Sequence, residues 1–133
     1  MSDLLGTFNS TLSMGKILVV DDNIDLLNIM QLMLIRSGYE VRSLNNGKAV
    51  MAILKQDCPD LVILDINLGD ADGRQICKDV KSMESFRFLP ILLYSAEDRP
   101  KVDIADCHAD AFVNKPFIKK EFLKLVNKLI AGA

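Results

Sequence analysis

Short apolar segments alternate with longer amphipathic segments along this chain, and this alternation limits the folds open to it. Five segments have the length and composition of β-strands, at 16–20, 40–43, 61–64, 89–94 and 111–113. The runs at 17–20, 61–64 and 91–93 are apolar without alternation, which is typical of parallel strands buried on both faces. The pattern therefore predicts an α/β fold.

Helical spacing of apolar residues fills the intervals between these strands. It predicts five helices, at 23–37, 46–57, 73–83, 98–107 and 118–130. The first is followed by Gly38, a common helix stop, and the last repeats Phe122, Val126 and Ile130 at helical spacing. Five successive strand–helix units predict an open parallel sheet with helices on both faces.

Length and charge narrow the class of protein further. The 133 residues suit one compact domain, which we place at 16–133, with 1–15 as a mobile lead or cloning remnant. Sixteen basic and 18 acidic residues give a net charge of -2, so we expect binding neither to nucleic acid nor to an anionic membrane.

Targeting and cysteine patterns indicate a cytoplasmic protein. No apolar run approaches the ~20 residues of a membrane span, and the first basic residue is Lys16, so neither a signal peptide nor an anchor is expected. Cys58, Cys77 and Cys107 form no C-x-x-C or metal-ligand spacing. We expect them to be reduced thiols.

Polar residues follow four of the predicted strands, where open parallel sheets bind their ligands. The segments after these strands contain Asp21 and Asp22, then Asp65 and Asn67, then Ser95 followed by Ala96, and finally Lys115 followed by Pro116. Three carboxylates at one sheet edge repel by roughly 3 kcal/mol per pair at ~5 Å, so they need a cation. Oxygen ligands with no histidine or cysteine nearby favour a hard ion. A site that supplies only two or three protein oxygens, with water completing the shell, suits Mg²⁺ better than Ca²⁺.

These residues and their order resemble response regulator receiver domains, the phosphoacceptor modules of two-component signalling. The resemblance covers about 16–130 and rests on KILVVDDN, LVILDINL followed by DADG, PILLYSAE and FVNKPF. It implies a flavodoxin-like doubly wound five-stranded parallel sheet of order 2-1-3-4-5, with five helices in three layers. It also implies that the chain is no enzyme beyond its own phosphorylation and dephosphorylation.

The resemblance assigns a role to each of the polar residues. Asp65 would be the phosphoacceptor, Asp22 and Asp65 direct Mg²⁺ ligands, Asp21 a ligand through water, and the Asn67 backbone carbonyl the last protein ligand. Lys115 would pair with a phosphoryl oxygen, while the Ser95 hydroxyl and the Asn67 and Ala96 amides bind the others. Phe112 would change rotamer with Ser95, and a cis bond before Pro116 would aim the lysine.

The resemblance also implies partners, and it leaves alternatives. The donor would be a histidine kinase or phosphotransfer domain, the target an unknown downstream protein, and the chain a monomer or weak dimer. Alternatives are a degenerate receiver used for docking and a fragment of a larger regulator or hybrid kinase. A haloacid dehalogenase-type phosphatase would need aspartate at Asn67, and a flavin or nucleotide site would meet repulsion from Asp21 and Asp22.

Two features depart from the usual family pattern, and the first predicted helix is unusually apolar. Gly69 replaces a common proline, which predicts a more flexible loop at 66–73. The interval between Ser95 and Lys115 is short, which predicts a shortened fourth helix. The resemblance places His108 where receivers usually carry the glycine that ends this helix, so we expect His108 to be left-handed. The first helix carries more apolar residues than one buried face can hold, so it forms either a donor-docking surface or a wide core stripe.

Overall fold

The computed structural model describes residues 13–96, 106–115 and 117–132. Five strands occupy Lys16–Val20 (β1), Glu40–Leu44 (β2), Leu61–Asp65 (β3), Ile91–Ser95 (β4) and Ala111–Asn114 (β5). Within those ranges the helices are Ile24–Arg36 (α1), Val50–Gln56 (α2), Gly73–Ser82 (α3) and Lys119–Ala131 (α4), with a short 3₁₀ helix at Glu84–Phe86. None of these helices combines the length and apolarity that crossing a membrane requires.

All five strands run parallel in one sheet of order β2-β1-β3-β4-β5, which confirms the predicted topology. The register pairs Val20 with Leu64, and Asp65 with Tyr94. The carboxyl ends of β1, β3 and β4 therefore lie level with one another. Residues that follow these strands are brought together at one edge of the sheet.

Two apolar cores lie on opposite faces of the sheet, because successive strand residues point to opposite sides. On one face, Leu27, Met30 and Leu34 of α1 pack with Phe122 and Val126 of α4 against the sheet. On the other face, α2 and α3 cover the sheet through a second set of buried residues, Val50, Leu54, Cys77 and Val80. Helices on both faces give the three layers expected of a doubly wound fold.

Two element boundaries differ from the predicted ones by more than one residue, and long-range contacts explain the larger difference. The second helix begins at Val50 rather than near residue 46. The Asp70 carboxylate accepts hydrogen bonds from the Gly47 and Lys48 amides at 3.0 and 3.2 Å, which holds 46–49 in a turn. Strand β4 begins at Ile91 rather than Leu89, whose amide instead donates to Phe86 at 3.1 Å.

The connection between β4 and β5 is described only at its end. Most of the helix predicted at 98–107 lies outside the described residues, as does Pro116 with its predicted cis bond, and 106–108 form a turn. His108 has a φ of 65°, which confirms the predicted left-handed conformation. A side chain with a Cβ atom is strained there, since it crowds the following carbonyl.

This strain predicts the effect of two substitutions at His108. The side chain is exposed, so removing it leaves no cavity in the core. We expect His108→Gly to have a higher free energy of unfolding than His108→Ala by about 1 kcal/mol, because glycine adopts positive φ without penalty. Urea unfolding of both variants measures the difference. Equal stability of the two variants would show that this position is not strained.

Candidate functional site

The ends of β1, β3 and β5 position the charged side chains of the site. Asp65 is the last residue of β3, Asp21 directly follows β1, and Lys115 directly follows β5. The residue two positions earlier in each strand packs on the face of the sheet covered by α1 and α4. These residues are Ile63 for Asp65, Val19 for Asp21 and Val113 for Lys115. Alternation along the strands therefore directs Asp21, Asp65 and Lys115 to that same face.

Asp21, Asp22 and Asp65 form an acidic cluster. Each offers one carboxylate oxygen, and these oxygens all lie within 4.8 Å of one another. Asp21 and Asp65 are buried, whereas Asp22 is exposed. Three carboxylate oxygens at this spacing, partly open to solvent, fit a hard divalent cation that keeps several water ligands, as Mg²⁺ does.

Among the described residues, Lys115 is the positively charged side chain that contacts this cluster. Its ammonium lies 3.1 Å from Asp65 Oδ2 and 3.3 Å from Asp21 Oδ2. Its backbone amide donates to the Ser95 carbonyl at 2.8 Å, so the β4–β5 ladder fixes the base of the side chain. One positive charge is thus shared between two buried negative charges.

The contact with Lys115 does not fully offset the cost of burying the Asp65 charge. Burial, opposed mainly by Lys115, raises the pKa of the Asp65 carboxyl from 3.8 to about 6, and the Asp21 charge adds to the rise. The Asn67 amide donates to Asp65 Oδ1 at 3.2 Å and favours the ionised form. At neutral pH the carboxylate is ionised but costly, which suits a nucleophile that takes up an electrophile or cation.

Tyr94 belongs to this site, although the sequence analysis did not single it out. Its buried hydroxyl donates to Asp21 Oδ2 at 2.6 Å, and the Lys115 ammonium lies 4.5 Å from the centre of its ring. Burial and the Asp21 carboxylate raise the pKa of the Tyr94 hydroxyl. The signal was present in the sequence, because a buried tyrosine one residue before Ser95 needs a polar partner near the strand end.

The remaining predicted residues surround the cluster. Ser95 is buried at the end of β4. Ala96, which follows it, and Asn67, two residues after Asp65, are exposed. Phe112 packs against the α2 and α3 core, on the face of the sheet opposite to Asp65. The structure thus brings Asp21, Asp22, Asp65 and Lys115 into one cluster and places Phe112 behind it.

Two glycines shape the loop that borders the acidic cluster. Gly69 has a φ of 77°, and a Cβ there would lie 3.0 Å from Asp22 Oδ2. Proline cannot adopt that φ, which gives a physical reason for its absence here. A Cβ at Gly73 would lie 2.2 Å from the Asp65 carbonyl oxygen, so only glycine lets α3 begin against the end of β3.

Comparisons with known proteins identify the family of this chain. A family model described as the response regulator receiver domain matches residues 17–127. The alkaline phosphatase synthesis transcriptional regulatory protein PhoP of Bacillus subtilis is 35% identical over 108 residues, covering 80% of this chain and 44% of PhoP. The transcriptional regulatory protein GltR of Pseudomonas aeruginosa is 30% identical over 120 residues, covering 89% of this chain and 50% of GltR.

Solved structures show the same architecture. Chemotaxis response regulator CheY4 of Vibrio cholerae has a TM-score of 0.81 at 28% identity, covering 88% of this chain and 99% of that one. The signal receiver domain of a Syntrophus aciditrophicus histidine kinase has a TM-score of 0.83 at 28% identity, with 90% and 92% coverage. The chain therefore belongs to the response regulator receiver domain family of two-component systems. It spans about half the length of the two curated relatives.

The raised pKa of Asp65 predicts how its substitution changes stability with pH. Because the folded-state pKa of about 6 exceeds the ordinary 3.8, ionisation destabilises the fold as pH rises through this range. In chelator at pH 7, Asp65→Asn should therefore raise the free energy of unfolding by roughly 1–3 kcal/mol. The gain should shrink as pH falls from about 6 toward 3.8, and it should be lost below that range.

Denaturant unfolding of wild type and variant at several pH values measures this gain. Asp72→Asn is the matched control, because hydrogen bonds from Arg74 lower the pKa of the exposed Asp72 carboxyl. That control should not become more stable at pH 7. An Asp65→Asn variant no more stable than wild type at pH 7 would contradict the assignment of uncompensated charge to Asp65.

Proposed function

We propose that this chain is a phosphoacceptor receiver whose Asp65 is phosphorylated in a Mg²⁺-dependent reaction. The observation that carries the proposal is the position of Asp65 between two carboxylates and one ammonium, with Lys115 at 3.1 Å. A degenerate receiver would not need this arrangement. Three carboxylates held close together, two of them buried, cost stability unless the site binds a cation and an anion in turn.

In the proposed reaction an Asp65 carboxylate oxygen attacks the phosphorus of the donor. A P–O bond forms to Asp65 while the bond from phosphorus to the donor nitrogen or oxygen breaks, and the leaving group keeps the electron pair. Asp65 Oδ1 is fixed by the Asn67 amide and Oδ2 by Lys115, so the carboxylate is oriented before the donor arrives. Lys115 then exchanges its contact with Asp65 for a phosphoryl oxygen.

Asp21, Asp22 and Asp65, with the Asn67 backbone carbonyl, are the groups that would hold Mg²⁺. The ion supplies charge neutralisation at the transferred phosphoryl group. The chain then acts only on itself, promoting its own phosphorylation and dephosphorylation. Ser95 and the Asn67 and Ala96 amides, which lie next to the acceptor at the strand ends, would bind the other phosphoryl oxygens.

The signal would leave the site through the opposite face of the sheet. Ser95 and Phe112 lie on neighbouring strands, and Phe112 is only half-buried in the α2 and α3 core. A doubly charged phosphoryl group drawing on Ser95 would favour one of two packings of Phe112 and so change the surface near β5. A cis bond at Pro116 would keep Lys115 aimed at the phosphoryl group. The receiver unit would be 16–133, acting in the cytoplasm on another protein as a monomer or weak dimer.

The exposed face of α1 is the surface that we assign to the phosphodonor, a histidine kinase or phosphotransfer domain. Four large apolar side chains of this helix are 47–62% exposed. They belong to Ile24, Ile29, Leu32 and Ile35. The helix begins next to Asp22, so a partner that docks on this face reaches the acidic cluster. The buried residues of α1 lie on its other side, which disfavours the wide core stripe.

Phosphorylation by a small donor tests the proposed acceptor. With acetyl phosphate and Mg²⁺, the intact mass should rise by one phosphoryl group, because the carboxylates otherwise repel the incoming anion. The Asp65→Asn protein and the wild type in excess chelator should both stay unmodified. Asp72→Asn, another aspartate near the site in sequence, should label as the wild type does. Labelling of the Asp65→Asn protein would overturn the assignment.

Transfer from a protein donor tests the α1 surface. Ile29→Ser combined with Leu32→Ser should slow transfer from a phosphorylated histidine phosphotransfer domain roughly tenfold, since buried apolar anchors dominate such contacts. Labelling by acetyl phosphate should stay at the wild-type rate. The control is Phe88→Ser, which removes an 80% exposed side chain in the loop before β4, at the other end of the strands. Equal rates of transfer to the wild type, the double variant and Phe88→Ser would exclude α1 as the docking surface.

A further inference from the structure

Tyr94 joins two residues that the proposed reaction uses in different ways. Its hydroxyl donates to Asp21 Oδ2 at 2.6 Å, and the face of its ring lies 4.5 Å from the Lys115 ammonium. We propose that Tyr94 is a positioning residue, which fixes the Asp21 carboxylate for Mg²⁺ and keeps it satisfied when Lys115 moves to the phosphoryl group. This inference rests on the proposed function.

The hydrogen bonds of Asp21 define which oxygen faces the cation. Oδ2 accepts from both Tyr94 and Lys115, whereas Oδ1 accepts from the Asn23 amide at 2.8 Å. An ionised carboxylate oxygen has about two lone-pair sites, so Oδ2 is saturated and Oδ1 keeps one site. Tyr94 thereby leaves Oδ1 as the oxygen available to a cation or its water.

The same hydroxyl allows Lys115 to leave Asp21. Asp21 is completely buried, and a buried carboxylate oxygen without a donor is costly. When the ammonium moves toward the phosphoryl group, the Tyr94 hydroxyl still donates to Oδ2. The ring face meanwhile attracts the ammonium at a distance typical of cation–π contacts, so the lysine moves along a surface that favours it.

Packing alone does not account for the hydroxyl. Tyr94 lies in the same core as Ile63 and Leu92, and a phenylalanine ring would fill that space equally. The tyrosine adds a polar group next to an acidic cluster, where it would cost stability without its partner. The hydrogen bond to Asp21 is short, as expected when the acceptor is charged.

The experiment compares Tyr94→Phe with Tyr39→Phe. Tyr39 is a second buried tyrosine of the same core, and its hydroxyl donates to Asn127, away from the acidic cluster. Both variants lose one hydroxyl hydrogen bond and keep the ring; the bond of Tyr94 is buried and that of Tyr39 is partly buried. Mg²⁺ affinity is measured by titrating MgCl₂ into each metal-free protein and following backbone amide signals by NMR. The free energy of unfolding in chelator is measured in parallel.

Tyr94→Phe should weaken Mg²⁺ binding roughly tenfold or more, as loss of a partner behind a metal ligand usually does. Its Asn23 amide signal should shift in the metal-free protein, since that amide reports the position of Asp21 Oδ1. Tyr39→Phe should also lose stability but bind Mg²⁺ as the wild type does. If the dissociation constants of the two variants agree within about twofold, Tyr94 is only a packing residue.

The wild type and Asp22→Asn separate this inference from the proposed function. Wild-type binding of Mg²⁺ that Asp22→Asn weakens supports the metal site itself. A wild type that binds no Mg²⁺ at millimolar concentration overturns the proposed function, and the role of Tyr94 with it. A wild type that binds while Tyr94→Phe binds equally well overturns only the role of Tyr94.

Discussion

The site depends on one ammonium group shared between two buried carboxylates. Lys115 contacts Asp21 and Asp65 at 3.3 and 3.1 Å, and both carboxylates are held rigidly by the ends of buried strands. The parallel register of β1, β3, β4 and β5 makes this contact possible, because it brings four strand ends level. The two apolar cores in turn hold the register, so packing far from the edge determines the distances within the site.

The two buried carboxylates of Asp21 and Asp65 share the single positive charge of Lys115, so their negative charge is only partly neutralised. Asp65 carries the consequence, as its pKa of about 6 shows. In the proposed reaction a cation at the acidic cluster would relieve the repulsion, and a phosphoryl group on Asp65 would give Lys115 a new partner. The fold therefore gives up stability at this edge so that ligands stabilise it, as functional sites commonly do.

Local patterns in the sequence were sufficient for much of the fold and of the site. Apolar runs predicted the strands, and residues after them predicted the cluster of Asp21, Asp22, Asp65 and Lys115, because parallel strands end at a common edge. The left-handed His108 followed from the family resemblance, which places it where receivers usually carry a helix-ending glycine. The late start of α2 did not, since Asp70 sets it from 23 residues away in the chain. Tyr94 was missed because its ring fits the apolar pattern of a buried strand, and that pattern takes no account of its hydroxyl.

The most direct test of this account is a structure of the Mg²⁺-loaded protein with beryllium trifluoride bound at Asp65 as a phosphoryl mimic. The account predicts that Lys115 Nζ leaves Asp21 and lies within hydrogen-bonding distance of a fluoride. Asp21 should keep its bond to the Tyr94 hydroxyl. If Lys115 still bridges Asp21 and Asp65 while the mimic is bound, the shared ammonium is a structural ion pair, and the account is contradicted.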